Sequence, residues 1–309
     1  MQKIVDNRAI IPPYLQKGDT IGIVAPAKQI EREYVDNAIK VFQNWGLEVV
    51  LGEHIFDGYN QFAGTDEHRA ADLQGFFTNS EVKAIICTRG GYGSIRTFGF
   101  LDFQLIRQNP KWLIGYSDIT AYHTLFNSKL GVATIHGAMP LNFPDNAGTN
   151  ESVETLRKAL FGKLEGYTLS PNSLNIHGTV KGTLIGGNLS ILQSVAATPA
   201  DIIPDNAILF IEEIDEYLYH IDRMMMNLKY SSKLAKLKAI ITGGMTGIKD
   251  NNIPFGKTAN ELIQGYAVEA GIPAVFDFPA GHQEPNLALY FGRTVTLDIG
   301  NTETRLLFE

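Results

Sequence analysis

Cysteine is almost missing from this chain of 309 residues: Cys87 stands alone. That excludes an intrachain disulfide and any metal cluster built on thiolates. Long hydrophobic runs are missing as well. No window approaches the roughly 18 consecutive apolar residues of a membrane span, so no membrane partner is expected. Blocks of Lys and Arg are absent, and 26 basic against 33 acidic residues leave a formal net charge of −7. A nucleic-acid partner is therefore not expected either. The opening stretch, MQKIVDNRAIIPPYLQKGD, has no charged region followed by an apolar one, so no signal peptide is expected. Internal repeats and low-complexity tracts are also missing. What is present is ordinary for a globular enzyme: 44% apolar and 19% charged residues, enough chain for a large core or two domains. A cytoplasmic enzyme fits this profile best.

The first half alternates apolar strands with amphipathic helices. Strands are expected at 20–25 (TIGIVA), 47–51, 84–88 (AIICT), 112–115 and 133–135. Helices are expected at 31–45, at 66–79 with Asp66 as its N-cap, and at about 119–128. The helix at 66–79 would turn Ala70, Leu73 and Phe76 inward. Continuous apolar strands separated by helices predict an α/β fold with a parallel sheet covered on both faces. Residues 142–180 have loop composition around one helix and read as the crossing between domains. The second half resumes with GTLIGGNLSILQSV (182–195) and strands at 207–211, 238–242, 273–276 and 294–300. It is α/β with substantial β content.

Polar residues placed just after an apolar strand carry the chemical signal, because ligands of parallel sheets bind beyond the carboxyl ends of strands. The chain has four such places. Arg89-Gly90-Gly91-Tyr92-Gly93 follows AIICT and reads as an oxyanion donor, a phosphate cradle or a plain βα turn. It lacks the Gly-x-Gly-x-x-Gly spacing and the Walker lysine, which leaves a nucleotide-binding oxidoreductase or kinase without support. Ser117, in Gly115-Tyr116-Ser117-Asp118, reads as a nucleophile on a strand-to-helix turn or as a helix N-cap. Glu212 immediately follows AILFI (207–211) and opens a run with Glu213, Asp215 and Glu216, either functional or a solvated loop. The run lacks an adjoining histidine at a helical ligand spacing, His220 four residues past Glu216 being a possible i, i+4 pair that reads as a helix-face residue, and no metal or other cofactor is expected. His282 sits in FPAGHQEPN, where Gly and Pro fix the loop. His136 follows a further strand and reads as a pocket wall. In chain order, Ser117, Glu212 and His282 supply the nucleophile, orienting carboxylate and general base of a hydrolytic triad.

The same segments carry a family resemblance. The chain resembles the serine L,D-carboxypeptidases of peptidoglycan recycling, the muramoyltetrapeptide carboxypeptidase group that includes the microcin-immunity peptidases. The resemblance runs through GDTIGIVAPA (18–27), FAGTDEHRAADL (62–73), RGGYG (89–93) and IGYSDIT (114–120). It continues through IHGAMP (135–140), GTLIGGNLSIL (182–192), LFIEEIDEYLYHIDRMM (209–225) and AGH (280–282). Where relatives often have Leu-Glu-Asp, this chain has Ile211-Glu212-Glu213, which keeps the charge.

The resemblance implies Ser117 as nucleophile, Glu212 rather than its neighbours as the triad carboxylate, and His282 as the base. It implies an oxyanion hole from the backbone amides of Asp118 and a glycine of 90–91, with Gly91 favoured. It further implies a flavodoxin-like N-terminal domain (1–145), a linker (146–181) and a smaller C-terminal α/β domain rich in strands (182–309). The expected assembly is a homodimer. The implied reaction releases the terminal D-alanine of a murein tetrapeptide in the cytoplasm. Such a substrate has a free carboxylate, which a guanidinium holds in a bidentate way. Arg89 and Arg96 are the candidates, with Tyr116, Thr65 and Asn188 expected to line the pocket. Two alternatives remain at this point. One is cleavage of an aminoacyl-nucleotide, as in the microcin-immunity branch. That activity calls for an aromatic platform, yet Trp45 and Trp112 sit in core segments and 165–182 offers only Tyr167. The other is a non-catalytic two-domain protein that binds a small ligand.

Overall fold

The apolar runs of the first half form β1 (Thr20–Val24), β2 (Glu48–Leu51), β3 (Val82–Cys87), β4 (Trp112–Gly115) and β5 (Thr134–His136). Between them lie α1 (Arg32–Asn44), α2 (Asp66–Thr78), α3 (Phe103–Gln108) and α4 (Thr120–Leu125). The computed structural model describes residues 9–309. Residues 1–8, the beginning of the segment read for a signal peptide, lie outside the described residues. All neighbours in the order β2-β1-β3-β4-β5 are parallel. This is the flavodoxin-like order, which reverses direction between β1 and β3.

The remainder of the chain forms α5 (Glu151–Leu160), β6 (Gly166–Leu169), β7 (Gly178–Asn188), α6 (Leu189–Ser194), β8 (Ala207–Ile214) and α7 (Leu218–Tyr230). It ends with β9 (Ala239–Thr246), α8 (Ala259–Ala270), β10 (Ala274–Val275), β11 (Leu289–Phe291), β12 (Thr294–Ile299) and β13 (Thr304–Phe308). A second sheet runs β10-β9-β8-β7-β12-β13-β6. Its first four strands are parallel and the rest antiparallel. The fold is mixed α/β with parallel elements in both sheets. Among the described residues no helix is long and apolar enough to cross a membrane.

The stretch 146–181 does more than cross. Asn150 caps α5 through Val153 N–H, and Val153, Leu156, Ala159 and Leu160 pack into the core with Trp112 and Ile114. β6 supplies the edge of the second sheet. In return, β11 leaves the C-terminal segment and pairs antiparallel with β5, covering what would otherwise be an open edge of the first sheet. Some local expectations change. Thr65, not Asp66, caps α2: its backbone is extended and its hydroxyl accepts from His68 N–H at 3.3 Å. Phe77 rather than Phe76 is the fully buried aromatic of that helix. The helix expected from about 119 is a short 3₁₀ turn (Ser117–Ile119), then α4, then a π turn (Phe126–Leu130).

Candidate active site

Ser117 lies one residue past β4, after Tyr116, and has φ of 64°, a left-handed conformation that a serine adopts only when its surroundings hold it there. The cap position before the 3₁₀ turn belongs to Tyr116 and carries no side-chain cap. The Ser117 hydroxyl is engaged elsewhere, with Oγ 3.0 Å from His282 Nε2. The glycine turn after β3 closes over it. A Cβ added at Gly90 would lie 2.9 Å from Ser117 Cβ, 3.0 Å from its Oγ and 3.0 Å from the Asp118 amide nitrogen. Only glycine permits this approach.

Glu212 lies near the carboxyl end of β8. The pairing with β9 shifts between Ile211 and Glu213, a bulge that sits at Glu212 itself. Bulges re-aim side chains, and here two successive carboxylates, Glu212 and Glu213, are both buried. Glu212 Oε2 is 2.7 Å from His282 Nδ1 and also accepts the His282 backbone N–H at 3.2 Å. Gly281, with φ of 105°, brings the histidine loop onto this carboxylate; a Cβ there would lie 2.7 Å from Glu212 Cβ. Serine, histidine and glutamate from opposite halves of the chain therefore form one hydrogen-bonded line. The Glu212 side chain is fully enclosed, whereas His282 is 15% exposed, so the line opens to solvent at its serine end.

The histidine loop has its own supports. Asn286 Oδ1 accepts from Gly281 N–H at 2.8 Å and from His136 Nε2 at 3.1 Å, and Thr246 Oγ1 donates to the His282 carbonyl at 2.7 Å. His136 is not a wall open to ligand but a buried support, and burial lowers its pKa to about 3. Burial pulls the His282 imidazolium down too. The hydrogen bond to Glu212 and the charges of Glu212, Glu213 and Asp215 outweigh that, and the net pKa is raised. Tyr116 places its ring edge-on to His282 at 5.0 Å, and burial pushes its hydroxyl up to about 12. Asn286 and Thr246 escaped sequence reasoning. The Asn after Glu284-Pro285 was the only available signal.

The rest of the carboxylate run does not converge on Glu212. Glu213 accepts from Asn188 Nδ2 (2.9 Å), Ile214 N–H (2.9 Å), and the Ser190 amide (2.8 Å) and hydroxyl (2.7 Å). Glu216 pairs with His220 at 2.7 Å. Asn188 is likewise occupied, capping α6 through Ile191 N–H and donating to Glu213. Thr65 caps α2, and Arg96 is held by both oxygens of Asp66, at 2.9 and 2.7 Å. These three expected pocket residues therefore have structural partners. Arg89 is half-buried; it makes one long contact to the Gln29 carbonyl, at 3.4 Å, and no carboxylate partner among the described residues. The Asp118 carboxylate is buried, and burial raises its pKa. It accepts from Ser94 N–H at 2.8 Å, which ties the Ser117 turn to the end of the glycine turn.

Comparison with known proteins bears on this geometry. Residues 21–137 match the LD-carboxypeptidase N-terminal domain and residues 181–297 its C-terminal domain. A Bacillus subtilis (strain 168) protein named probable murein peptide carboxypeptidase is 36% identical over 93% of this chain and 91% of its own. The microcin C7 self-immunity protein MccF of Escherichia coli is 28% identical over 96% of each chain. The crystal structure of muramoyltetrapeptide carboxypeptidase from Oxalobacter formigenes superposes with a TM-score of 0.85 at 27% identity, covering 94% of this chain and 98% of that one. The chain belongs to the LD-carboxypeptidase family and is a serine-type carboxypeptidase.

Proposed function

We propose that this protein is a cytoplasmic L,D-carboxypeptidase that removes the terminal D-alanine from murein tetrapeptides, using Ser117, His282 and Glu212 as its triad. The observation that carries the reading is the unbroken line of hydrogen bonds from Ser117 Oγ through the imidazole to Glu212. His282 Nε2 takes the hydroxyl proton as Oγ attacks the carbonyl carbon at the L-centre of the diamino acid. Glu212 holds Nδ1–H and stabilises the imidazolium. The amides of Asp118 and Gly91 receive the oxyanion, and Gly90 lets their turns approach each other. Collapse of the intermediate expels D-alanine, whose nitrogen takes the proton from His282, and leaves the tripeptide as an ester on Ser117. His282 then deprotonates water, whose oxygen attacks the ester; as the tripeptide leaves, Ser117 Oγ takes the proton back from His282.

Arg89, free of any acidic partner among the described residues, is the proposed holder of the substrate carboxylate, with Tyr116 beside it. Residues 1–145 carry the nucleophile and 182–309 the other two triad members, and the working unit is a homodimer. The aminoacyl-nucleotide reading has less support. Trp112 is buried, Trp45 packs edge-on to Phe42, and the Tyr167 hydroxyl is committed to the Ala288 carbonyl at 2.7 Å.

D-Alanine release from murein tetrapeptide tests the reaction. Initial rates with and without EDTA are expected to agree within about twofold, because no step requires a metal. Loss of turnover in EDTA that zinc restores would reassign the chemistry to a metal centre. Gly90→Ala is expected to fold and to lose about a hundredfold or more in kcat/KM, since its Cβ would displace the nucleophile. A Gly90→Ala rate near wild type would contradict the placement of that turn.

A further inference from the structure

At the carboxyl end of β2 the chain makes a loop and folds back onto the first turn of α2, bringing His54, Asp57 and His68 together. His54 Nδ1 lies 2.9 Å and His68 Nδ1 3.0 Å from the same oxygen, Asp57 Oδ2. The two rings stack with centroids 3.9 Å apart and planes 18° from parallel. Both imidazoles thus aim the same nitrogen at one point, and all three donor atoms lie within 4.8 Å of one another. The backbone around them is tethered. His54 N–H donates to the buried Asp72 carboxylate at 3.0 Å, Asp57 N–H to the His54 carbonyl at 2.9 Å, and His68 N–H to Thr65 Oγ1 at 3.3 Å. Side-chain exposures of 23% (His54), 41% (Asp57) and 47% (His68) leave one side of the cluster open to water.

We propose that His54, Asp57 and His68 form a binding site for a late first-row divalent cation, zinc foremost, separate from the triad. Two imidazoles and one carboxylate suit Zn²⁺ and its neighbours, whereas Mg²⁺ and Ca²⁺ prefer all-oxygen shells. Zinc bonds of about 2.0–2.1 Å in a tetrahedral site put neighbouring donors about 3.3 Å apart, so the two Nδ1···Oδ2 separations of 2.9 and 3.0 Å need to open by only about 0.3–0.4 Å. Water fills the remaining position. On binding, each ring must release its Nδ1 proton to water, a neutral ring taking one back on Nε2, so that the Nε2–H tautomer binds the metal through Nδ1 in place of its hydrogen bond to Asp57. The ion then pins the loop to α2. That loop pairs with Lys28 through Phe62; the metal stiffens it against α2 and takes no part in the reaction, so turnover does not depend on the ion.

Calorimetric titration of the tag-free, chelator-stripped full chain with ZnCl₂ tests this, with MgCl₂ as control. One saturable zinc site is expected, weakened at least tenfold in His54→Ala, in His68→Ala and in Asp57→Asn, with no saturable Mg²⁺ binding. Zinc should raise the Tm of the wild type and not of His54→Ala. Because His282 and the Glu216–His220 pair also present imidazoles, zinc binding that persists undiminished in the His54→Ala/His68→Ala double variant would overturn the proposal. So would the absence of saturable binding by the wild type, which would leave a hydrogen-bonded His–Asp–His contact only. Zinc-edge anomalous diffraction of wild-type crystals gives a readout independent of any variant. A peak about 2 Å from both Nδ1 atoms and the carboxylate supports the site, and a peak only elsewhere contradicts it.

Discussion

Ser117→Ala is expected to fold like the wild type and to turn over murein tetrapeptide at least about a hundredfold more slowly. The hydroxyl makes its hydrogen bond to His282 and caps nothing, so its loss removes the attacking atom and spares the helix that follows. The strain at this position acts in the same direction. A residue held at φ of 64° gains nothing from its side chain in backbone terms, and alanine bears the same strain as serine. Stability should therefore change little while kcat falls. Far-UV circular dichroism and thermal unfolding alongside D-alanine release separate the two effects. A Ser117→Ala enzyme with near-wild-type kcat would remove the nucleophile from the account.

Glu212→Gln is expected to cost about 10² to 10⁴ in kcat/KM, because an amide at this site cannot hold the imidazole in the required tautomer or stabilise its cation. The pH profile gives a second readout. His282 must be neutral to take the serine proton, so activity rises with pH as it loses its own proton. Burial lowers its pKa, yet the Glu212 hydrogen bond and the surrounding carboxylate charges raise it to a net value above normal. The acid limb of kcat/KM should therefore lie above the ordinary imidazole value of about 6.5. Removing the Glu212 charge leaves burial less opposed and should move the limb to lower pH. Glu213→Gln makes the contrast. Glu213 accepts four hydrogen bonds that hold Asn188, Ser190 and Ile214. A glutamine there turns one acceptor into a donor facing donors, so Tm should drop while kcat of the folded fraction holds. A greater loss of kcat at Glu213 than at Glu212 would mean that the wrong carboxylate has been assigned.

The parallel sheet was legible because its strands are continuous apolar runs separated by helical stripes, which a two-sided buried sheet requires. The short β11 was not, since Leu289–Phe291 follows a loop full of Gly and Pro and its partner β5 lies far back in the chain. In the candidate site, Ser117, Glu212 and His282 were legible as polar residues at strand ends or in a rigid loop. Spacing could not choose among the four carboxylates of 212–216. The family resemblance favoured Glu212, and the bulge at that residue gives the physical reason it turns towards His282. Thr65 and Asn188 were expected to line a pocket because their side chains suit the amide and ammonium groups of a peptide substrate. Thr and Asn are equally the residues that cap helices, and that is how both are used. Asp118 carries two parts. Its amide is proposed for the oxyanion, while its carboxylate fastens Ser94, a long-range contact that no local pattern announces.

The account turns on which bond the enzyme breaks. The most direct measurement is mass spectrometry of the products after incubation with murein tetrapeptide and, separately, with an aminoacyl-nucleotide. The account predicts loss of a single alanine from the carboxyl end of the tetrapeptide, with chiral analysis showing D-alanine, and an aminoacyl-nucleotide left largely intact. An untouched tetrapeptide beside a cleaved aminoacyl-nucleotide would contradict it.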